Sequence, residues 1–241
     1  LNAAVARQLM TFADEVNAMT DKGRKRDEAI FQVLKKCIID SKRIRFEGDG
    51  YSAEWHKEAL RRGLSAESSV PGTFKAYTTP ASRGTLVGTG VLTERELESR
   101  VEVELEKFTK KLQIEARVLG DLAINHIVPT AVNYMTSLVD NVRGLREIFD
   151  DNDFLRLAGA RKELIVSISD HISMIKKLVS DMIDQRRKAN VIDDIYKKAL
   201  AYESQVKPYL QEIRTHIDKL ELVVDNELWP LPKYRELLFT R

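Results

Sequence analysis

The residues of this chain whose types suit chemistry are four histidines, one cysteine, a few acidic pairs and one glycine-bracketed turn. His56, His126, His171 and His216 each stand alone on a separate predicted helix. None has a second His or Cys at the spacing a metal ion needs. His126, His171 and His216 sit beside an isoleucine in "NHI", "DHI" and "THI", the position of a histidine flanking a buried stripe. Cys37, in "VLKKCIID", reads as a buried, inert thiol. Asp14/Glu15, Asp150/Asp151 and Asp193/Asp194 are neighbours in sequence, so on helices their carboxylates diverge and make poor paired catalysts. No residue is assigned a catalytic, cofactor-binding or metal-binding role.

The stretch "RIRFEGDGYSAEWHKEALRRG", residues 43–63, could be a phosphate loop or a turn feeding a helix. A phosphate cradle needs glycines that aim several backbone N–H groups at the anion beside a helix N-terminus. Gly48-Asp49-Gly50-Tyr51-Ser52 has no third glycine and no lysine after the serine, and Asp49 would repel an anion. Gly48 and Gly50 are therefore read as turn residues, and Ser52 as the N-cap of a helix ending before Gly63.

Composition narrows the class. Lysine and arginine number 39 against 37 acids, a net charge of +2, which gives no ground for a nucleic-acid surface. Basic residues interleaved with aromatics, as single-strand binders carry, are missing. The cluster Lys22, Arg24, Lys25, Arg26 around Gly23 reads as a solvated turn flanked by Asp21, Asp27 and Glu28. No apolar run approaches the roughly 18 residues of a membrane span. With one cysteine no internal disulfide can form, and a reducing compartment is expected. The chain begins at Leu1 on an uncapped amphipathic stripe, so a longer gene product with residues upstream is expected.

The elements that must position these residues are helices. Charged residues at 32% with few glycines and prolines suit long exposed helices. Residues 1–64 carry short helical stripes, as in Leu1, Val5, Leu9, Phe12 and Val16. Residues 65–92 hold Pro71, Pro80 and several glycines and read as an irregular connector with short helical turns. Thr93 and Glu96 in "TEREL" form a capping box. From there to Val224 three long stripes follow, and the short links near Asp150–Asp153 and Ala189–Asn190 make neighbours antiparallel. Pro129 cannot donate to the Asn125 carbonyl, and Pro208 interrupts likewise, so each predicts a kink. The expected fold is all-α: a long antiparallel three-helix bundle over 93–224, preceded by a small helical cap and the connector. The tail 225–241, with Trp229, Pro230 and Tyr234, concentrates large apolar surface and should dock on its own chain or on a partner.

Three stretches, "FEGDGYSAEWHKEALRRGL", "TERELESRVEVELEKFTKKLQIEARVLGDLAINHIVPTA" and "ELWPLPKYRELLFTR", resemble the C-terminal region of the type III glutamine synthetases, in order and across nearly the whole chain. The resemblance implies a cytoplasmic parent enzyme that joins ammonia to glutamate through glutamyl phosphate, using ATP and Mg2+ or Mn2+, and assembles as a dodecamer. It also implies that residues 1–64 pack on an upstream catalytic domain. The family's metal-binding glutamates and histidine, and its nucleotide and glutamate arginines, match no residue here. Asp49 stands where some relatives carry Asn, and either suits a turn. The chain is accordingly expected to bind neither ATP nor metal productively by itself and to serve packing and assembly. The alternative is a free-standing helical scaffold or adaptor whose bundle and aromatic tail bind another protein.

Overall fold

The computed structural model describes residues 1–239, apart from the side chains of Tyr234 and Arg235. The packing expected of Tyr234 therefore lies outside the described residues. Among those described there is no strand, and the protein is all-α. The chain divides into two compact units, Leu1–Leu105 and a second beginning at Glu106.

In the first unit α1 (Asn2–Thr20) and α2 (Arg26–Asp40) form a hairpin about Gly23, whose φ of +87° suits a glycine. Their shared core is small: Val16, Ala29 and Val33 are buried, with Phe12, Met19, Ile30 and Cys37 packed around them. Lys36 on α2 meets Glu15 on α1 at 2.9 Å. After the 3₁₀ turn Ser41–Arg43 comes α3 (Ala53–Arg61). The stretch read as an irregular connector holds two short helices, α4 (Val70–Tyr77) and α5 (Pro80–Leu86). Their prolines are helix starters rather than breakers. Pro71 and Pro80 occupy the first turns, where a missing N–H costs nothing, behind the side-chain caps Ser69 and Thr79. Arg7 on α1 donates to Ala81 O at 3.1 Å and Thr85 Oγ1 at 2.8 Å, fastening α5 to the hairpin.

Helix α6 (Glu94–Leu122) starts in the first unit and continues into the second. Its start is held by Arg83 of α5, which pairs with Glu94 and, at 3.2 Å, with Glu98.

The second unit is built from three rods. One is the end of α6 with α7 (Val128–Ile148), the next is α8 (Asp151–Asn190), and the third is α9 (Ile195–Ala201) with α10 (Lys207–Val223). Asp150 caps α8 by accepting from Asp153 N at 2.9 Å, and Asp194 caps α9 by accepting from Lys197 N at 2.7 Å. Contacts run in opposite sequence directions: Gln113 meets Asn190 while Gly120 faces Met182. The rods are therefore antiparallel. Ile127, Ile168, Ile175, Met182, Tyr202, Val206, Ile213 and Leu220 from all three are fully buried in one core.

Both proline-bearing rods solve the missing donor in the same way. Five-residue π-helical turns, Ala123–Ile127 and Tyr202–Val206, end two residues before Pro129 and Pro208. Val128 N–H reaches back to Ala123 O and Lys207 N–H to Tyr202 O, each five residues away. The widened turn admits the proline ring within a continuous rod.

The chain after α10 turns back on its own unit. Trp229 is buried in the common core, and its N–H donates to Asp225 O at 3.0 Å. Lys233 lies over the Trp229 ring at 5.8 Å and donates to Glu221 O at 2.7 Å. The short α11 (Tyr234–Leu237) follows.

Candidate functional site

The glycine-bracketed turn uses up its own polar groups. Asp49 Oδ1 accepts from Tyr51 N–H at 2.9 Å, and Ser52 accepts from Trp55 N–H at 3.1 Å. The carboxylate thus fills the place an anion would take. Gly48 has a φ of +156°, and a Cβ there would lie 2.9 Å from the Phe46 ring. That ring rests on Trp55 with centroids 4.5 Å apart. Gly50 has open space around it and no such constraint. At the far end of α3, Gly63 adopts a φ of +68° while Leu64 N–H closes on Ala59 O at 2.8 Å. Glu58 accepts from Arg61 at 2.6 Å and from Arg62 at 2.5 Å. These two bonds, Arg61's first, hold its carboxyl down to about 2.

Thr93 and Glu96 bond reciprocally, Thr93 N–H to Glu96 Oε2 at 2.8 Å and Glu96 N–H to Thr93 Oγ1 at 3.3 Å. Pro129 and Pro208 sit in the first turns of α7 and α10. Pro230 stands between the buried Trp229 and Leu231, which packs against the core. Each of these residues does work within its own local structure.

The structure adds one side-chain pair to the sequence reading and corrects another residue's burial. His171 and His216 stand alone on their own helices, yet α8 and α10 bring their Nδ1 atoms to 2.9 Å. The residues are 45 apart in sequence, so no local spacing could have shown it. Cys37 is half-buried rather than buried. It lines an open groove of about 660 Å³ between α1 and α2 with Leu9, Phe12, Leu34, Ile38 and Ile44.

Other apolar side chains of the hairpin are uncovered as well. Val5, Leu9 and Met10 on α1, and Phe31, Leu34, Ile38 and Ile39 on α2, are all exposed. A hairpin normally turns such residues inward. Here the inner face is already filled by Ala29 and Val33, so the stripes continue round to solvent. Leu9, Leu34 and Ile38 meet in the groove, so that part of the apolar surface is continuous. In the second unit, an open groove of about 770 Å³ between α6 and α8 carries Arg117, Arg186 and Arg187 above Val179 and Ile183. Arg186 Nε is buried there without a protein acceptor.

A family model described as the glutamine synthetase C-terminal domain matches residues 29–146. Residues 29–146 belong to that family. It is 53% identical over its whole length to a glutamine synthetase of Bacteroides fragilis (strain YCH46), and 25% identical to a type-3 glutamine synthetase of Dictyostelium discoideum. A Butyrivibrio fibrisolvens glutamine synthetase is 26% identical over 99% of the chain. The chain spans about a third of the length of these curated relatives, 33%, 33% and 34% respectively. The likeness to type III enzymes carried by the three quoted stretches thus extends along the full chain. For the metal and nucleotide chemistry that glutamine synthesis implies, the described residues provide no group of three or more His, Cys, Asp or Glu side chains able to hold an ion. No step of that reaction is assigned to them. No helix among the described residues is long and apolar enough to cross a membrane.

Proposed function

We propose that this chain is the helical C-terminal portion of a type III glutamine synthetase and that it serves packing and oligomer assembly rather than the chemical step. The parent enzyme would phosphorylate glutamate with ATP and let ammonia displace the phosphate, in the cytoplasm and with Mg2+ or Mn2+. ATP, metal and glutamate would bind in the remaining two thirds of the polypeptide. The observation that carries this reading is the uncovered apolar face of the α1–α2 hairpin, with Leu9, Phe31, Leu34 and Ile38 turned outward. Burial of such residues contributes roughly 1.5–3 kcal/mol each, so the face is suited to permanent cover by the catalytic domain of the same protein. The second unit, with its own large core, would contribute surface to a homo-oligomer, a dodecamer in the family.

The test compares the full-length enzyme with this chain and with a full-length variant carrying Leu9→Asp and Ile38→Asp. Full-length protein should form glutamine and a large ring by mass in solution. The chain alone should form no glutamine, and the variant should lose both assembly and activity. Glutamine formation by these 241 residues, or a variant that assembles and turns over normally, would overturn the reading.

A further inference from the structure

We propose that the His171–His216 pair is a proton-operated latch that closes the α8–α10 seam when it carries at most one proton and releases it when both rings are charged. The two Nδ1 atoms face each other at 2.9 Å, with ring centroids 5.1 Å apart and planes inclined by 59°. An N–H···N bond needs one donor and one acceptor. Two neutral imidazoles supply them when one ring carries its proton on Nδ1 and the other on Nε2. One added proton preserves the bond, since an imidazolium Nδ1–H can donate to the neutral Nδ1 and does so more strongly. A second proton leaves two N–H groups and two positive charges facing each other across the same gap, with no acceptor between them.

The location gives that event leverage. His171 is half-buried one turn from Ile168 and Ile175, and His216 lies one turn from Ile213 and Leu220, all fully buried. Parting the rings therefore means opening the core seam between the second and third rods. The groups acting on His171 are His216 and Lys219 from α10 and Asp170 from α8. Lys162 and Glu163 line the open groove beside it. Burial first, then the charge of His216, then Lys219 hold the His171 ring below its ordinary value, and Asp170 opposes them weakly. A base depressed in the folded state contributes stability that is complete above its ordinary value, near 6.5. That contribution is lost as pH falls through the lowered one. The two rings titrate as a coupled pair rather than one by one.

The experiment is nuclear magnetic resonance on this chain labelled with ¹⁵N at histidine, from pH 8 to pH 5. A scalar coupling between the two Nδ1 atoms through the hydrogen bond should be present at pH 8 and vanish on acidification. In parallel, amide exchange at Ile175 and Ile213, corrected for its intrinsic pH dependence, should speed up by about tenfold for each unit of depression expressed. The double variant His171→Phe, His216→Phe should lose this acid response. Absence of the coupling at pH 8, or the same acid response in the variant, would overturn the proposal. Should the variant fail to fold, the coupling in the unaltered chain decides by itself.

Discussion

Tyr202 donates its hydroxyl to Asn190 Oδ1 at 2.6 Å, joining the first residue of the second π-turn to the last residue of α8. The tyrosine is fully buried and the asparagine is exposed, so the bond is the one polar tether of a large apolar ring. Tyr202→Phe keeps the ring and leaves Asn190 Oδ1 to Gln113 and solvent. The expected cost is about 1 kcal/mol, read from urea unfolding at neutral pH. Burial raises the Tyr202 hydroxyl above its ordinary value of 10.0, with Arg186 acting weakly against it. An acid raised on folding contributes stability that is complete below its ordinary value and lost as pH climbs through the raised one. Stability should therefore fall above pH 10 in the unaltered chain, and the fall should be smaller in Tyr202→Phe.

Trp229 is buried in the second-unit core. Trp229→Ala should cost about 3–5 kcal/mol, the lost burial of the indole plus the cavity it leaves. Limited proteolysis should then cut near Leu231 well before the rods are attacked. Unchanged cleavage in the tail would show that the indole does not hold it.

Gly120, inside α6, and Gly88, in the turn after α5, differ in what surrounds them. A Cβ on Gly120 would rest 3.5 Å from Met182 Cε and Val179 Cγ1, ordinary contact distances. Gly120→Ala should stabilise the second unit by up to about 1 kcal/mol through helix propensity. A Cβ on Gly88 would overlap the Gly84 carbonyl oxygen, which belongs to the backbone and cannot swing aside. Gly88→Ala should destabilise by about 1–3 kcal/mol. Thermal unfolding of the two variants should move in opposite directions.

Glu58 predicts the acid limb of the first unit. Its carboxyl, held down to about 2 by Arg61 and then Arg62, contributes stability present above the ordinary 4.5 and lost as pH falls toward 2. Glu58→Gln should flatten that part of a pH–stability curve and leave it unaltered above pH 6. A curve with the same slope between pH 4.5 and 2 would show that the pair is too solvated to matter.

The helical class was legible because the stripes are long and regular. Ile195, Ala199, Tyr202, Val206, Leu210 and Ile213 alternate by threes and fours, and a packed rod is the structure that buries them together. The proline positions signalled a disturbed ladder but not its form. Accommodation by a π-turn whose first residues, Ala123 and Tyr202, are fully buried leaves no mark in the local residue types. α4 and α5 were legible only as short helical turns without bounds, because Pro71 and Pro80 are loop residues by composition and helix starters by position. The histidine pair was invisible for a different reason. It joins two stripes whose relative register is fixed only by packing, and neither "DHI" nor "THI" carries any mark of the other. Likewise the α1–α2 stripes were readable as amphipathic, while which of their residues stay uncovered depends on how the two helices pack through Val16, Ala29 and Val33.

Each π-turn takes up one extra residue without turning the rod beyond it. Excising a single residue from 123–127 or from 202–206 would restore an ordinary ladder and leave the side chains downstream on their present faces. The same excision elsewhere in a rod would swing them by about 100° about its axis. At the π-turns the cost would fall on Pro129 or Pro208, whose ring an ordinary ladder sets against the carbonyl four residues back.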